Sequence, residues 1–212
     1  MSTLAVWRER LSYQGISLGI VALLASAALA YGNRLTHDAI ARAEADDLAA
    51  SLAQVLPAGA SDQQPGDLLN DTLKVSAGGT AVTVYRARKA GAVTGAVFRM
   101  AARGYAGDIV VLMAVDPRGR MLGARVVKHA ETPGLGDKIE IAKAKWILGF
   151  DGKSLGDPAP EKWGVKKDGG VFDQFAGATI TPRAVVKAVK QGLEFFAAHR
   201  GEILGEKADE RT

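Results

Sequence analysis

The sequence contains no cysteine and only three histidines among its 212 residues. The lack of thiols excludes disulfides, iron–sulfur clusters, thiolate metal sites, cysteine nucleophiles and c-type haem attachment. His37, His129 and His199 have no metal-binding spacing, so no metal site is predicted. No Ser/His/Asp or paired-carboxylate arrangement stands out, so no catalytic residue is predicted either. An electron carrier built on this chain therefore needs an organic cofactor or a haem attached in another way.

The sequence also lacks the concentrated positive charge of a nucleic-acid-binding protein. Its formal net charge is +4, but lysine and arginine are dispersed among 23 acidic residues. The nearest basic clusters, at residues 86–89 and 166–167, do not alternate with aromatic side chains, so no nucleic-acid partner is predicted. With 48% hydrophobic and 24% charged residues, the chain is expected to form one globular domain beyond its apolar N-terminal segment.

One segment near the N-terminus lacks charge altogether. Residues 11–33 are mostly apolar, and as a helix they span roughly 30 Å, enough for the hydrocarbon core of a bilayer. Trp7 and Tyr13 on one side and Tyr31 on the other are suited to the two membrane interfaces. The pattern predicts one transmembrane helix that contacts membrane lipid and follows a short cytoplasmic N-terminus at residues 1–10.

The charges that flank this segment indicate its orientation. Arg8 and Arg10 precede it, whereas acidic residues lie close behind the arginines that follow it. This difference favours a single-pass protein with its N-terminus inside and residues 34–212 outside the cytoplasmic membrane. Ala28-Leu29-Ala30 resembles a signal-peptidase site, so a cleaved leader is the alternative. Both interpretations export the domain.

Apolar periodicity and capping residues predict three helices after the membrane segment. They cover residues 36–56 with Thr36 as N-cap, residues 137–148 with Asp137 as N-cap, and a last helix that begins at Pro182 with Thr181 as N-cap. The core-facing stripe of the last helix comprises Val185, Val186, Val189, Leu193 and Phe196.

Alternating and continuous apolar runs predict a β-rich region between these helices. The strands are expected at residues 81–86, 93–100, 108–115 and 121–128, with a turn at Asp116-Pro-Arg-Gly119 between the last two. Residues 149–170 contain few apolar side chains and predict a long surface connection. The fold class is therefore α+β: a twisted antiparallel sheet packed on one side by helices and preceded by one N-terminal transmembrane helix.

The stretch from Phe172 to Arg183 indicates a binding site. Its sequence, Phe-Asp-Gln-Phe-Ala-Gly-Ala-Thr-Ile-Thr-Pro-Arg, is a loop of small residues that leads into the last helix. If Thr181 caps that helix, the hydroxyl of Thr179 has no structural task. Unpaired N–H groups at a helix N-terminus attract phosphate, and Arg183 offers a further contact. The residues alone allow either an anion site or an ordinary capped loop.

This stretch resembles the flavinylation motif of the FMN-binding domain family, in which a flavin transferase moves FMN from FAD onto a threonine. The resemblance implies that Thr179 is the acceptor and carries covalent FMN as a phosphoester. This chain has Ala176 where the family commonly has Ser or Thr. The implied site on this segment comprises Asp173, Ala176, Gly177, Ala178, Thr179 and Thr181.

A second stretch, Glu131-Thr-Pro-Gly-Leu-Gly136, resembles the glycine loop that the same family places beside the isoalloxazine ring. Glycine lets backbone approach a planar ring closely, and the N–H groups of the loop are suited to its polar edge. The resemblance adds Thr132, Gly134 and Leu135 to the cofactor site. A turn before a helix at Asp137 is the alternative explanation of this loop.

With its anchor and its length, the whole chain resembles the G-subunit family of Rnf ion-translocating oxidoreductase complexes. The resemblance implies an electron-transfer subunit whose FMN relays electrons between other redox subunits to drive ion transport. Its partners would be those subunits, a flavin transferase and membrane lipid. The implied organisation is a helical or linker region at residues 34–80, an FMN-binding domain at residues 81–200 and a charged tail at residues 201–212.

Two other functions remain open from the residues alone: an exported binding or assembly module without a cofactor, and a free-standing periplasmic flavin reductase. Expectations also follow for four other side chains near the two motifs. His129 is expected in a loop or the core, with flavin contact as the alternative. Trp146 is expected in the core, and Lys166 and Lys167 are expected in solvent, with flavin phosphate as their alternative partner.

Overall fold

The computed structural model describes residues 11–64 and 66–205. The expected cytoplasmic segment 1–10, with Trp7, Arg8 and Arg10, lies outside the described residues, as do residues 206–212 of the charged tail. The described residues contain two α-helices, α1 (Leu11–Val55) and α2 (Ile180–Leu204), and all the strands lie between them in sequence. The strands are β1 (Thr72–Ala77), β2 (Thr80–Lys89), β3 (Ala92–Arg103), β4 (Asp108–Val115) and β5 (Met121–Lys128).

The five strands form one antiparallel sheet in the order β1-β2-β3-β4-β5, so each strand pairs with its neighbour in sequence. Tight turns connect them, and glycines at positive φ supply the backbone conformation at the β2–β3 turn (Gly91, φ 82°) and the β4–β5 turn (Gly119, φ 82°). Asp116 closes the second turn, where its Oδ1 accepts the N–H groups of Arg118 and Arg120. The four predicted strands and the α+β class are confirmed.

The centre of the sheet is buried on both faces, which explains why the sequence of β4 is almost entirely apolar. Val111 and Met113 belong to a core cluster that α2 covers, whereas Leu112 and Ala114 belong to a second cluster on the opposite face. All five residues predicted as the core stripe of α2 are buried. The helix therefore packs on the sheet as its periodicity indicated.

The opposite face of the sheet is covered by the end of α1. Leu52 and Val55 are buried there against Leu112 and Ala114. Gly123 of β5 is essential to this packing, because a Cβ at its position would lie 2.6 Å from the carbonyl oxygen of Val55. The prediction that helices pack on one side of the sheet is therefore wrong: helices cover both faces.

Helix α1 runs without interruption from Leu11 to Val55. The predicted separate helix at residues 36–56 with Thr36 as its N-cap is wrong, because the Thr36 hydroxyl donates to the carbonyl of Gly32 within the helix. Its N-terminal part is long and apolar enough to cross a membrane by length and composition, a test that a signal sequence also passes. The apolar side chains of that part are exposed, as expected of a lipid-facing helix.

Strand β1 was not predicted from the sequence. It occupies the edge of the sheet, and of its apolar side chains Val75 is fully buried. Asp71, directly before β1, accepts hydrogen bonds from Arg86 and Arg88 of β2 at 2.8 and 2.5 Å. Burial raises the pKa of Asp71, but the two guanidinium groups outweigh it and hold the pKa below its usual value. Two arginines of the basic cluster at residues 86–89 thus stabilise the position of the edge strand through Asp71.

The predicted helix at residues 137–148 is replaced by two short 3₁₀ helices, Asp137–Ile139 and Lys145–Phe150. Asp137 does not cap a helix, because its Oδ1 accepts the N–H of Gly134 at 2.9 Å and closes the preceding loop. The helical periodicity of this region instead places Ile139, Ile147 and Phe150 in the core. Local side-chain hydrogen bonding has overridden helix propensity here.

The segment 149–170 is not a surface connection, contrary to its prediction. It buries Trp163 and Val165, and Trp163 packs against Phe150 and Phe172 with ring centroids 6.3 and 5.4 Å apart. A few large aromatic side chains thus supply the burial that its sparse apolar composition did not indicate. The segment extends the core toward the loop that precedes α2.

Replacement of Gly123 by alanine should destabilise the domain, because the new methyl group meets backbone atoms of Val55. We expect a loss of about 1–3 kcal/mol, typical of overpacking. The melting temperature of the full chain in detergent should fall by about 2–4 °C per kcal/mol for a chain of this size. Gly149→Ala is the matched control, because a Cβ there meets nothing within 4 Å. Equal melting temperatures for the two variants would contradict this packing.

Candidate functional site

An open cavity of about 280 Å³ lies where the β3–β4 turn, the loop after β5 and the N-terminus of α2 meet. Its size is close to the lower end of the roughly 300–1,000 Å³ typical of small-molecule sites. The lining residues are Tyr105, Glu131, Thr132, Leu135, Gly136, Gly177, Ala178, Thr179, Ile180 and Thr181. The two predicted motifs, about 45 residues apart in sequence, therefore form one site.

Thr179 is the N-cap residue of α2 and is half-buried in the cavity wall. Its side chain makes no capping hydrogen bond, although threonine commonly caps in this position. No other hydrogen bond of the hydroxyl occurs within residues 11–64 and 66–205. The first turn of α2 leaves the N–H groups of Ile180 and Thr181 without intrahelical acceptors. The cavity thus offers an uncommitted hydroxyl beside a helix N-terminus.

Thr181 is not the N-cap that the sequence predicted. It lies in the first turn of α2, is 1% exposed, and donates its hydroxyl to Oε2 of Glu131. The other oxygen of Glu131 accepts the N–H of Ala106 at 3.1 Å. Since Thr181 is committed to this buried carboxylate, Thr179 is the accessible hydroxyl of the pair. Pro182 lacks an N–H and is tolerated because it still lies in the first helical turn.

Two glycines let the backbone close around the Glu131 carboxylate. A Cβ at Gly104 would lie 2.5 Å from Oε1 of Glu131, and a Cβ at Gly136 would lie 2.8 Å from its Cβ. The β3–β4 turn, the loop after β5 and α2 therefore meet at one carboxylate. This arrangement leaves no space for a side chain at either glycine.

The glycine loop is held in a fixed shape by its own backbone. The N–H groups of Leu135 and Gly136 donate to the carbonyl of Thr132 at 3.2 and 3.0 Å. Gly134 has a φ of 79°, which favours glycine, and its N–H is taken by Asp137. Thr132 and Leu135 line the cavity, whereas Gly134 supports the loop from outside the lining.

The loop before α2 is shaped by Gly177, whose φ is 77°. A bridge between Phe175 and Ala178 closes the turn, and the Phe175 side chain is buried in the core. Gly177 and Ala178 line the cavity together with Thr179, but Ala176 does not. The small side chains at these positions keep the Thr179 hydroxyl accessible.

Asp173, the predicted motif acid, lies outside the cavity on the exposed side of the loop. Its carboxylate pairs with Lys166 at 2.6 Å, and its carbonyl accepts the indole N–H of Trp146 at 2.9 Å. Trp146 was predicted in the core, but its side chain is only partly buried. Its ring packs against Phe150 and Phe175 at the edge of the core. Lys166 and Lys167 are exposed, as their solvent interpretation predicted.

Arg183 points away from the cavity, although the sequence suggested it as a phosphate contact. Its guanidinium forms a bidentate ion pair with Asp168, with distances of 2.6 and 2.5 Å. The hydrogen bond from Arg183 lowers the pKa of Asp168, and the same bond raises that of Arg183. The lining residues include no lysine or arginine, so an anion in this cavity depends on backbone N–H groups.

His129 lies behind the cavity wall and does not line it. Its Nδ1 accepts the N–H of Glu131 at 3.1 Å, which places the ring proton on Nε2, 2.8 Å from Oε1 of Glu140. The loop interpretation of this histidine agrees with its position. Its ring accepts the backbone N–H of Glu131 without lining the cavity itself.

Four lining residues were not predicted as site residues: Tyr105, Glu131, Gly136 and Ile180. Glu131 and Gly136 are the two ends of the glycine stretch that the sequence analysis associated with the cofactor, so their position in the sequence could have indicated them. Tyr105 lies in a turn that the sequence marked only by Gly104 and Gly107, and no pattern linked that turn to the motifs. The pairing of β3 with β4 brings it there.

Two protein families match different parts of this chain. Residues 104–194 match the FMN-binding domain family, and residues 1–55 match the family described as the RnfG N-terminal region. Proteins named as the G subunit of an ion-translocating oxidoreductase complex are similar over most of this chain.

Three such relatives illustrate the similarity. The one from Stutzerimonas stutzeri is 52% identical over 90% of this chain and 83% of its own length. That from Cereibacter sphaeroides (strain ATCC 17029 / ATH 2.4.9) is 50% identical over 93% and 90%. That from Pseudomonas aeruginosa (strain UCBPP-PA14) is 44% identical over 94% and 95%.

Among solved structures, that of Shewanella oneidensis NqrC aligns with a TM-score of 0.48 at 24% identity. The alignment covers 65% of this chain and 70% of that one.

Removal of the Glu131 carboxylate should loosen the site. Glu131→Ala leaves the Thr181 hydroxyl buried without a partner, at a cost of about 1–3 kcal/mol, and removes the acceptor of the Ala106 N–H. Thermal unfolding of the full chain in detergent should show this loss. Glu131→Gln keeps the shape and one acceptor and should lose less, and exposed Glu161→Ala should lose nothing measurable. An unchanged melting temperature for Glu131→Ala would contradict the role of this carboxylate.

Proposed function

This chain belongs to the G-subunit family of ion-translocating oxidoreductase complexes, and we propose that it carries FMN covalently on Thr179 as an electron relay of such a complex. The FMN-binding domain family covers residues 104–194, so the matched region contains every residue that lines the cavity. The observation that carries the proposal is the uncommitted Thr179 hydroxyl in that cavity.

The surroundings of Thr179 fit a phosphoester better than those of Thr181. The Thr179 side chain faces the cavity and lacks a capping bond, whereas the Thr181 hydroxyl is buried and donates to Glu131. A phosphate on the Thr179 oxygen would lie beside the N–H groups of the first turn of α2. Both the unpaired donors and the helix dipole stabilise negative charge at that position.

Attachment requires a flavin transferase and FAD. In the transfer, the bond between the Thr179 Oγ1 and the FMN phosphorus forms as the bond from that phosphorus to AMP breaks. The hydroxyl proton leaves with the displaced AMP or with a base of the transferase. Gly177 and Ala178 leave room for the transferase at the hydroxyl, because neither has a bulky side chain.

The chain's own residues would bind and orient the cofactor. FMN, when bound, takes and returns electrons one at a time. The loop of Thr132, Gly134 and Leu135 would lie along the ring, fixed by the backbone bonds to the Thr132 carbonyl and by Asp137. Asp173 and Ala176 lie outside the cavity and would act in recognition by the transferase. Covalent attachment prevents loss of the cofactor outside the cytoplasm, where little free FMN replaces it.

The chain by itself is one relay in a translocase that couples electron flow to ion movement. Its partners would be the other redox subunits of the complex. The apolar part of α1 would anchor it in the cell inner membrane in contact with lipid, with the domain from residue 34 on the periplasmic side. The length and composition of α1 support the anchor, and the arginines before it support the orientation.

Replacement of Thr179 tests the attachment directly. Wild-type protein matured with the transferase should give a fluorescent band near 22 kDa in a denaturing gel, and Thr179→Ala should give a dark one. Peptide mass mapping of residues 168–183 should find an FMN-sized increment on Thr179 and none on Thr181.

Thr181→Ser is the matched control, because serine preserves the hydroxyl that Glu131 binds, and this variant should remain fluorescent. A dark wild-type band would refute covalent FMN and favour an assembly module without a cofactor. Another outcome is a fluorescent wild-type protein that is extracted from the membrane without other subunits and still shows flavin reductase activity. That result would indicate a free-standing reductase.

The anchor is tested by the mass of the N-terminus. The purified chain should retain residues 1–33, and protease added to intact spheroplasts should remove the domain while the membrane segment stays protected. Leu24→Arg in the apolar part of α1 should weaken membrane retention, whereas Ala41→Arg, beyond it on the same helix, should not. A mature N-terminus directly after Ala30 would show that the segment is a cleaved leader.

A further inference from the structure

Three exposed apolar side chains surround the mouth of the cavity. Among described residues 47–205, the large apolar side chains with the greatest exposure are Tyr105 (70%), Leu135 (46%) and Ile180 (46%). All three line this one cavity, and each belongs to a different segment of the chain. Exposed apolar side chains that converge on a cavity mark a surface that is covered in the functional protein.

The position of Tyr105 is fixed even though its ring is exposed. The N–H of Gly104 donates to the carbonyl of Gly107 at 2.8 Å and closes the turn. The N–H of Ala106 donates to Glu131, and the missing side chain of Gly104 lets the turn pack directly on that carboxylate. The backbone on both sides of Tyr105 is therefore held in place.

The same carboxylate connects Tyr105 to the proposed attachment point. One oxygen of Glu131 holds the turn that carries Tyr105, and the other holds Thr181, two residues from Thr179. The backbone segments that carry Tyr105 and Thr179 are thus joined through one carboxylate, and both residues line the cavity. A planar group tethered at Thr179 would share this cavity with the side chains of Tyr105, Leu135 and Ile180.

From this placement we propose that Tyr105 stacks on the isoalloxazine ring of the flavin held at Thr179, while Leu135 and Ile180 cover the edges of the ring. This inference rests on the proposed function, because it requires a tethered flavin. Aromatic rings favour offset stacking on flat ring systems, and the exposed phenol is available for it. Tyr105 is a positioning residue that sets the spectrum and the reduction potential of the cofactor.

Flavin fluorescence in the folded protein provides the test. A stacked phenol quenches the fluorescence of the isoalloxazine, because the phenol transfers an electron to the excited ring and the electron then returns without emission of light. Full-length wild type, Tyr105→Phe and Tyr105→Ala, each matured with the transferase, are compared as native and as denatured samples. The denatured signal measures covalent loading, and the ratio of native to denatured signal measures quenching.

We expect equal loading in all three proteins and a several-fold higher native ratio in both variants. Tyr105→Ala should also shift the flavin absorption and raise the midpoint potential, because an electron-rich ring no longer lies against the reduced flavin. Tyr105→Phe should retain the wild-type absorption, since it preserves stacking. Val171→Ala, which changes an exposed apolar side chain outside the cavity, is the control and should change neither quantity.

The possible results separate this inference from the proposed function. Equal native ratios in wild type and Tyr105→Ala, with normal loading, would overturn the stacking alone and leave the attachment intact. Loss of loading in both Tyr105 variants with unchanged melting temperature would assign Tyr105 to attachment and also overturn the stacking. A dark wild-type band would overturn both proposals.

Discussion

The candidate site depends on one buried carboxylate. Glu131 is 5% exposed, and its two oxygens accept hydrogen bonds from two segments that are distant in sequence, the β3–β4 turn and the first turn of α2. Gly104 and Gly136 permit this approach because a side chain at either position would clash with Glu131. Burial of a carboxylate costs free energy unless its oxygens accept hydrogen bonds. The loop that carries Glu131 therefore depends on the donors that the other two segments supply. The shape of the cavity follows from that constraint.

The sequence predicted those parts of the fold in which burial repeats regularly. The strands at residues 108–115 and 121–128 and the core stripe of α2 are marked by continuous or periodic apolar residues, and the structure contains all three. It did not predict β1, an edge strand with little burial, or the core contribution of Trp163, which a few aromatic contacts provide. The predicted helix at residues 137–148 is absent, because the backbone is extended at Glu140 and Ala144 and divides the segment into two 3₁₀ helices. The spacing of apolar residues does not indicate such a local change of backbone conformation.

The site was predictable to the extent that it is contiguous in sequence. Both motifs contribute to the cavity, but Gly134, Asp173 and Ala176 do not line it. The predicted residues that do are Thr132, Leu135, Gly177, Ala178, Thr179 and Thr181. Tyr105 and the pairing of Glu131 with Thr181 arise only when the sheet brings separate segments together. The sequence also suggested Arg183 as an anion contact, whereas Asp168 binds its guanidinium on the outer side of α2. Charge near a motif in sequence is thus a poor guide to charge inside the cavity.

The walls of the cavity are attached to the elements that carry the main apolar core. Thr179 directly precedes a 25-residue helix that packs along the sheet, and the β3–β4 turn joins two strands whose side chains are buried at the centre. Each of these elements contributes a large share of the apolar core. A group that gains or loses charge here meets dipoles already oriented by the fold. In the proposed role, a fold that relaxes little around a changing charge would lower the reorganisation energy and so favour rapid electron exchange with a neighbouring centre.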